Sequence, residues 1–192
     1  MQSDDQETLY SQQNLWIIDE RLTFHTYIAS DKKLSSIESG LSVGSQKRPD
    51  LFIFDRKISF SEPVDDEGPI NSLVVIEFKK PQRDDYTDAK NPLNQIYAQI
   101  TDIRSGTFKD DNGRPVRTAN ATIPAYGYVI CDITPTLEKI LKDNDAMPTP
   151  NGLAYYGYNR NHQIYYEVID YGKLVSDAKK RNRIFFERLK IN

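Results

Sequence analysis

The sequence predicts an α/β sandwich with a mixed sheet, and three observations support this prediction. A continuous apolar run from Leu73 to Ile76 is typical of a central strand that is covered on both faces. Asn91 and Pro92 indicate the start of a helix, because asparagine caps a helix and proline fits its first turn. A second apolar strand is predicted from Tyr126 to Ile133. The resulting order of helix, strands, helix and strand indicates an α/β fold.

The other predicted elements complete this order. Asn14 caps a first helix that runs to about Ala29, with apolar residues at helical spacing along it. Two strands are expected before the central one, a short one around Leu41 to Val43 and a clear one from Asp50 to Phe54. Further along, the patterns predict a short helix near Leu137, an aromatic hairpin and a terminal helix from about Lys173 to Leu189.

The length and composition of the chain fit one domain. Its 192 residues are enough to bury a core, and no repeat, low-complexity tract or linker divides them. We expect residues 1–13 to form a polar N-terminal segment, without the apolar core of a signal peptide, and residues 14–192 to form a single domain. No apolar run approaches the roughly 20 residues that a membrane span needs. The single cysteine, Cys131, fits a reducing compartment, so the sequence predicts a cytoplasmic protein without a membrane partner.

The charge of the chain limits the kinds of partner that it can bind. A formal net charge of -3 argues against a protein that coats nucleic acid through bulk charge. It does not exclude a nuclease, because a catalytic groove carries its own acidic metal ligands. One cysteine and two histidines argue against a structural zinc site. Five basic residues flank the candidate site in sequence: Lys47, Arg48, Lys79, Lys80 and Arg83.

Two short segments combine carboxylates with a lysine at strand ends. Asp50 opens one predicted strand, and Glu77 and Lys79 end the apolar one. The spacing of two residues puts Glu77 and Lys79 on the same face, while Phe78 points to the opposite face, where we expect it to fill the core. Magnesium binds a few carboxylate oxygens and keeps several waters, and a neighbouring lysine can orient the attacking water. These residue types therefore suit metal-dependent hydrolysis of a phosphodiester.

The pattern of an acid, any residue and a lysine is weak by itself, because composition alone produces it. Only Glu77 and Lys79 lie at the exit of a buried strand with a Pro-Asp pair one strand upstream. An ion-paired strand end without chemistry remains the alternative interpretation. Four other pairs match the pattern: Asp31/Lys33, Asp55/Lys57, Asp88/Lys90 and Asp177/Lys179.

The segments Arg48-Pro49-Asp50 and Val75-Ile76-Glu77-Phe78-Lys79-Lys80-Pro81 resemble the signature of the PD-(D/E)XK nuclease superfamily, which includes restriction enzymes, resolvases and recombination exonucleases. The resemblance implies a restriction-endonuclease-like core over about 14–133 and a C-terminal elaboration over 134–192. It implies that Asp50 and Glu77 bind Mg²⁺ or Mn²⁺, that the carbonyl of Phe78 adds a ligand, and that Lys79 acts on the attacking water. The implied activity is cleavage of nucleic acid in prokaryotic defence or DNA processing, with DNA favoured over RNA as the substrate and RNA left open.

Two further positions match the site of that superfamily. Glu20 lies in an aromatic arc of the first predicted helix, where an unpaired carboxylate would be costly. Many members carry a first-helix glutamate that reaches the metal, and a buried ion pair is the alternative left open for Glu20. Gln95 matches the glutamine that several branches hold beside the site. The exonuclease branch has a tyrosine four residues further on, whereas this chain has Gln99, for which we predict a solvated helix face.

The run from Asn14 to Leu22 also resembles a domain found at the end of larger prokaryotic proteins, some of which carry an HSP90-like ATPase module. This resemblance leaves two alternatives to a free nuclease. One is a catalytically silent module for nucleic-acid binding or assembly. The other is an effector piece of a larger ATPase-containing protein. Nucleic acid is the expected partner, and both a homodimer and a larger ATPase-containing assembly stay open.

The remaining chemically active residues are predicted to be structural. His162 falls in a turn and is expected to be exposed, and Cys131 is expected in the core. Tyrosines of the predicted hairpin could stack on bases, yet alternating tyrosines in a hairpin more often pack against the sheet. These tyrosines are Tyr155, Tyr156, Tyr165 and Tyr166.

Overall fold

The structure is a computed structural model, and it describes residues 18, 27–30, 50–56, 70–105 and 123–189. Within these ranges the chain forms seven strands and three α-helices. The strands are β1 (Tyr27–Ser30), β2 (Leu51–Arg56), β3 (Ile70–Phe78), β4 (Ala125–Cys131), β5 (Met147–Pro148), β6 (Ala154–Asn159) and β7 (Ile164–Asp170). The helices are α1 (Pro92–Arg104), α2 (Pro135–Asp143) and α3 (Tyr171–Leu189).

All seven described strands belong to one mixed sheet in the order β1-β2-β3-β4-β7-β6-β5. The three central strands β3, β4 and β7 are parallel to one another, and the flanking pairs are antiparallel. Leu73, Val75 and Ile76 of β3 are completely buried, as expected for a central strand that is covered on both faces. The predicted α/β class with a mixed sheet is confirmed.

Apolar clusters cover the two faces of the sheet. On one face, α1 and α2 pack on β3, β4 and β7 through a cluster that includes Ile96, Ile100 and Leu137. On the other face, Leu174 of α3 packs against Ile76 and other apolar side chains of β4 and β7. Because successive residues of a strand alternate between faces, odd-numbered residues of β3 face α1 and even-numbered residues face α3. No helix in the described ranges combines the length and apolar character of a membrane span.

Gly127 allows α1 to lie unusually close to β4. A Cβ atom at position 127 would lie 2.5 Å from Cγ2 of Ile96. We expect Gly127→Ala to lower the free energy of unfolding by about 1–3 kcal/mol, because overpacking forces backbone or rotamer shifts. Urea unfolding of the single variant and of Gly127→Ala in an Ile96→Ala background measures this effect. The cost should shrink in the second background, since the clashing methyl group is gone. An equal cost in both backgrounds would contradict this account of the packing.

Most of the predicted elements are present at slightly different bounds, but the predicted end of the first helix is wrong. The first helix was expected to reach Ala29, but Tyr27–Ser30 is strand β1, which pairs antiparallel with β2. Tyrosine and isoleucine favour strands, and pairing with an available sheet edge outweighs helical spacing in the sequence. The expected helix start at Asn14 and the expected strand around Leu41 to Val43 lie outside the described residues.

The aromatic hairpin is present as β6 and β7, and its tyrosines divide between the two faces of the sheet. Tyr155 and Tyr166 are buried, which confirms the packing prediction for these two. Tyr156 is 39% exposed, so stacking on a base stays the open alternative for this residue. His162 is exposed in the hairpin turn, as expected, and its ring stacks on Tyr97 at 5.1 Å. Cys131 is buried, as predicted, and burial raises the pKa of its thiol to about 12.

Candidate functional site

The sheet topology brings the acidic strand ends together at one edge. The parallel strands β3, β4 and β7 end at the same edge, and β2 begins there because it runs antiparallel to β3. Leu51 pairs with Ile76, so Asp50 lies beside the Glu77 end of β3. Asp50, Glu77 and Lys79, which the sequence predicts as site residues, therefore share one edge of the sheet.

Glu77 and Lys79 form a buried ion pair on the face that carries α1. Their side chains are only 3% and 8% exposed, and Nζ of Lys79 lies 3.1 Å from Oε2 of Glu77. The backbone of Lys79 is fixed on both sides: its N–H donates to the carbonyl of Ile130, and its carbonyl accepts from the Tyr171 hydroxyl, each at 2.8 Å. The lysine is therefore part of the folded edge of the sheet rather than a loosely attached surface charge.

Two glutamines of α1 complete the polar cluster around Glu77. The Gln95 amide donates to Oε2 of Glu77 at 2.9 Å, and its carbonyl accepts from Lys79 at 2.7 Å. Gln99 donates through Nε2 to Oε1 of Glu77 at 2.6 Å. Gln95 therefore lies beside the acid and the lysine, where the sequence interpretation expects it. We call this group of four side chains the Glu77 cluster: Glu77, Lys79, Gln95 and Gln99.

The prediction of a solvated helix face for Gln99 is wrong, because this side chain is only 1% exposed. Residues four positions apart share one side of a helix, so Gln99 faces the same carboxylate as Gln95. A glutamine is ordinarily assigned to solvent, but a buried carboxylate supplies it with a partner. The helical spacing from Gln95 was the signal in the sequence that could have found it.

The surroundings of Glu77 disfavour its charge. Burial is the largest influence and raises the pKa of its carboxyl, and the nearby charge of Asp50 raises it further. The hydrogen bond from Gln99 and the charge of Lys79 act in the opposite direction and offset part of this effect. A positive charge beside Glu77 therefore stabilises its ionised carboxylate.

Asp50 is half-buried and is fixed through one oxygen. Its Oδ2 accepts from the backbone N–H of Phe78 at 2.6 Å. This bond adds a side-chain contact between the start of β2 and the end of β3. The expectation that Phe78 fills the core is wrong, since its side chain is 42% exposed. Phe78 is the last residue of β3, and the apolar cluster on that face includes Ile76 but not Phe78. The part of its carbonyl as a metal ligand remains a prediction.

The loop after β3 is tied to the end of β4 and to the start of α2. The N–H of Gln82, a residue with a positive φ of 58°, donates to Oδ2 of Asp132 at 2.6 Å. Asp84 accepts from the N–H and hydroxyl of Thr136. Sequence reasoning missed Asp132 and Tyr171 as anchors of this edge. An acid directly after a predicted parallel strand was the available signal for Asp132.

The basic residues that flank the site differ in how they are held. Arg83 and Lys90 both bond to Asp85, and these two bonds hold the pKa of its carboxyl at about 2. Lys80, which follows Lys79 in the sequence, is exposed. Lys47 and Arg48 lie outside the described residues. Among the described flanking residues, Lys80 is therefore an exposed cation that does not bond to Asp85.

The donor atoms at this edge fit a hard divalent cation. Asp50 and Glu77 supply carboxylate oxygens, and the ammonium of Lys79 already occupies a cationic position at Oε2 of Glu77. Oxygen ligands suit Mg²⁺ and Mn²⁺, whereas zinc prefers nitrogen and sulfur. Among the residues that the structure describes, no three His, Cys, Asp or Glu side chains form a metal-binding group. Glu20, the third acid expected from the sequence, lies outside the described residues.

A separate cavity of about 240 Å³ opens on the α3 face of the sheet. It lies away from the Glu77 cluster, because neither Asp50, Glu77 nor Lys79 lines it. Some of its charges are already paired, since Lys173 bonds to Asp177. The charged residues that line it are Glu167, Lys173, Asp177 and Arg181.

Comparison of the chain with models of protein families, with curated proteins and with solved structures finds no match. The protein is therefore characterised by its fold and its site alone. It is an α/β protein with a mixed sheet, and at the edge where its parallel strands end a buried glutamate, lysine and glutamine form a cluster with a second, exposed glutamine. The function has to be argued from the chemistry of that cluster.

Proposed function

We propose that this chain is a metal-dependent nuclease of the PD-(D/E)XK type, which hydrolyses phosphodiester bonds with Mg²⁺ or Mn²⁺. The observation that carries this proposal is the meeting of Asp50, Glu77 and Lys79 at one sheet edge, with the glutamate and lysine buried. The order of β1, β2, β3, α1 and β4, with β4 parallel to β3, supports a restriction-endonuclease-like core.

Each residue of the site has a chemical role in this proposal. A bound Mg²⁺ would offset charge on the phosphate and supply an activated water. Asp50 and Glu77 offer the carboxylate oxygens that would hold it. Lys79 carries a fixed positive charge beside these acids, where an ammonium orients the attacking water and stabilises the developing charge. Gln95 accepts a hydrogen bond from Lys79 and so fixes the direction of that ammonium.

A purely structural ion pair accounts less well for the arrangement. Buried ion pairs are poor sources of stability, because the loss of hydration offsets their attraction. Glu77 nonetheless accepts three described hydrogen bonds, from Lys79, Gln95 and Gln99. Helix α1 thus contributes two polar side chains to a position that apolar residues could fill. The free-energy cost of burying the charged pair favours a chemical role for the carboxylate of Glu77.

Substituting Glu77 tests the metal site. Mg²⁺ or Mn²⁺ should raise the melting temperature of the parent protein, and at 100 times Kd the gain in stability is about 2.7 kcal/mol. Glu77→Gln should abolish this gain, since a neutral amide binds a hard cation far more weakly than a carboxylate does. Thermal unfolding is measured with and without metal, each variant against its own metal-free value. Glu138→Gln is the matched control, because Glu138 also pairs with a lysine, Lys142, but lies outside the site.

A retained metal-dependent gain in Glu77→Gln would overturn the assignment of Glu77 as a ligand. The activity itself is tested with supercoiled, linear and single-stranded DNA and with RNA, each with and without Mg²⁺ or Mn²⁺. Cleavage by the parent and none by Glu77→Gln is the expected result. Binding of nucleic acid without cleavage would instead favour the silent binding module. Activity that appears only in a longer chain would favour an effector piece of a larger ATPase-containing protein.

A further inference from the structure

The cavity on the α3 face has a carboxylate without a described cation beside it. Residues of β6 and β7 form one side of the cavity, which we call its floor, and α3 forms another, which we call its wall. Glu167 lies on the floor and accepts from the Tyr165 hydroxyl through Oε1 at 2.9 Å. None of the described ion pairs includes Glu167. A half-buried carboxylate in this position gains from a donor that a ligand brings.

The wall of the cavity carries more positive than negative charge. Its cations are Lys173 and Arg181, and its acid is Asp177. Asp177 is already paired, since Lys173 lies 2.5 Å and Lys180 3.6 Å from its carboxylate oxygens. Arg181 also donates to the carbonyl oxygen of Ile18 at 3.2 Å. An anionic group of a ligand is therefore attracted to this wall and not to the floor.

Aromatic rings and a small volume limit the shape of a ligand. Tyr156 and Tyr165 line the floor, and Tyr156 is 39% exposed. An exposed aromatic ring offers its face to a flat ligand, which stacks on it. The volume of about 240 Å³ lies below the roughly 300 Å³ at which pockets for small molecules begin. The cavity therefore suits one flat group that carries a hydrogen-bond donor and an anionic substituent.

We propose that this cavity binds one nucleotide whose base carries an exocyclic amino group. The base stacks on Tyr156, and its amino group donates to the oxygen of Glu167 that Tyr165 leaves open. Acidic side chains accept from such amino groups, as they do from that of cytosine. The phosphate lies against Lys173 and Arg181. A free nucleotide and a single nucleotide of a strand share this chemistry, and neither depends on cleavage at the Glu77 cluster.

Two pairs of matched nucleotides test the role of Glu167 by calorimetry on the whole chain. Cytidine and uridine monophosphate differ in an amino group against a carbonyl on the base, and adenosine and inosine monophosphate differ in the same way. We expect the amino member of a pair to bind at least about tenfold more tightly, because a carbonyl facing a carboxylate leaves two acceptors without a donor. Glu167→Gln should remove the difference, since its amide can also donate to the carbonyl.

The stacking contact has a matched control on the same strand. Tyr156→Ala should weaken binding of cytidine monophosphate about tenfold, in line with the loss of one aromatic ring under a base. Tyr158 lies two residues further along β6, so it faces the same side of the sheet, and it is 57% exposed. It does not line the cavity. Tyr158→Ala should therefore bind with the parental affinity.

The outcomes separate a nucleotide site from other occupants. Single-stranded oligonucleotides of deoxycytidine and thymidine distinguish the two sources, because tighter binding of the deoxycytidine strand than of the monophosphate identifies a strand as the ligand. Binding of the monophosphate alone identifies a free nucleotide. The proposal is overturned if neither amino nucleotide binds, if Glu167→Gln keeps the difference, or if Tyr158→Ala weakens binding as much as Tyr156→Ala. Binding of choline in place of the nucleotides would identify a site for an organic cation and overturn it too.

Discussion

Replacing Lys79 with methionine is expected to lower the turnover of nucleic-acid cleavage by about 100- to 1000-fold, the usual loss when one electrostatic donor to a transition state is removed. Nζ of Lys79 lies 3.1 Å from Oε2 of Glu77 and 2.7 Å from Oε1 of Gln95. A bound phosphate that reaches the acids therefore also reaches this ammonium. Methionine fills the space of the aliphatic stem but carries no charge and no donor.

The same variant should separate chemistry from binding. Metal affinity should stay or rise, because an ammonium cannot ligate a cation and its removal takes away a competing charge at Glu77. Substrate binding, measured in saturating Ca²⁺ to block cleavage, should fall only modestly if Lys79 acts mainly in the transition state. Lys90→Met is the control, since Lys90 is an exposed lysine that bonds to Asp85. This variant should cleave at the parental rate. Parental turnover in Lys79→Met at saturating Mg²⁺ would identify the pair as structural.

The elements that flank the site were predictable because their signals are local. The apolar run of β3 and the Asn-Pro start of α1 are short patterns that need no knowledge of distant residues. The side chain of Asn91 accepts from the N–H of Leu93 at 2.9 Å, which is the cap that the sequence predicts. The common face of Glu77 and Lys79 likewise follows from strand alternation alone.

Other features depend on partners that are far away in the sequence. Tyr27–Ser30 becomes a strand because β2 offers it an edge, and no helical periodicity reveals that edge. Gln99 is buried because Glu77, 22 residues earlier, needs a donor. Tyr171 fixes the carbonyl of Lys79 across 92 residues, a contact that requires β7 and α3 to be in position first. Such pairings are decided by the assembled sheet, so local patterns cannot predict them.

Removing both charges of the buried pair is expected to restore the stability that removing one of them loses. Lys79→Met leaves Glu77 buried without its cation, and breaking a buried pair costs about 3–5 kcal/mol. Glu77→Gln combined with Lys79→Met leaves a neutral amide, still within reach of Gln95 and Gln99, beside an apolar side chain. Neutral replacement of a buried pair is often neutral or stabilising by about 1–4 kcal/mol. The double variant should therefore be at least as stable as the metal-free parent, although it is inactive.

The dependence on pH gives this prediction a second, independent readout. The folded protein raises the pKa of Glu77 above its usual 4.5, so the folded state holds this proton more tightly than the unfolded state. Ionisation of Glu77 therefore costs stability as the pH rises from 4.5 through the raised value. In Lys79→Met the loss should be larger and extend to higher pH, since no cation offsets the charge of Glu77, and in the double variant the contribution of Glu77 should vanish. Urea unfolding without metal at pH 5 and pH 8 measures both effects. If the double variant is as unstable as Lys79→Met at both pH values, the ion pair stabilises the fold. The argument that the ion pair costs stability, which favours a chemical role for Glu77, would then fail.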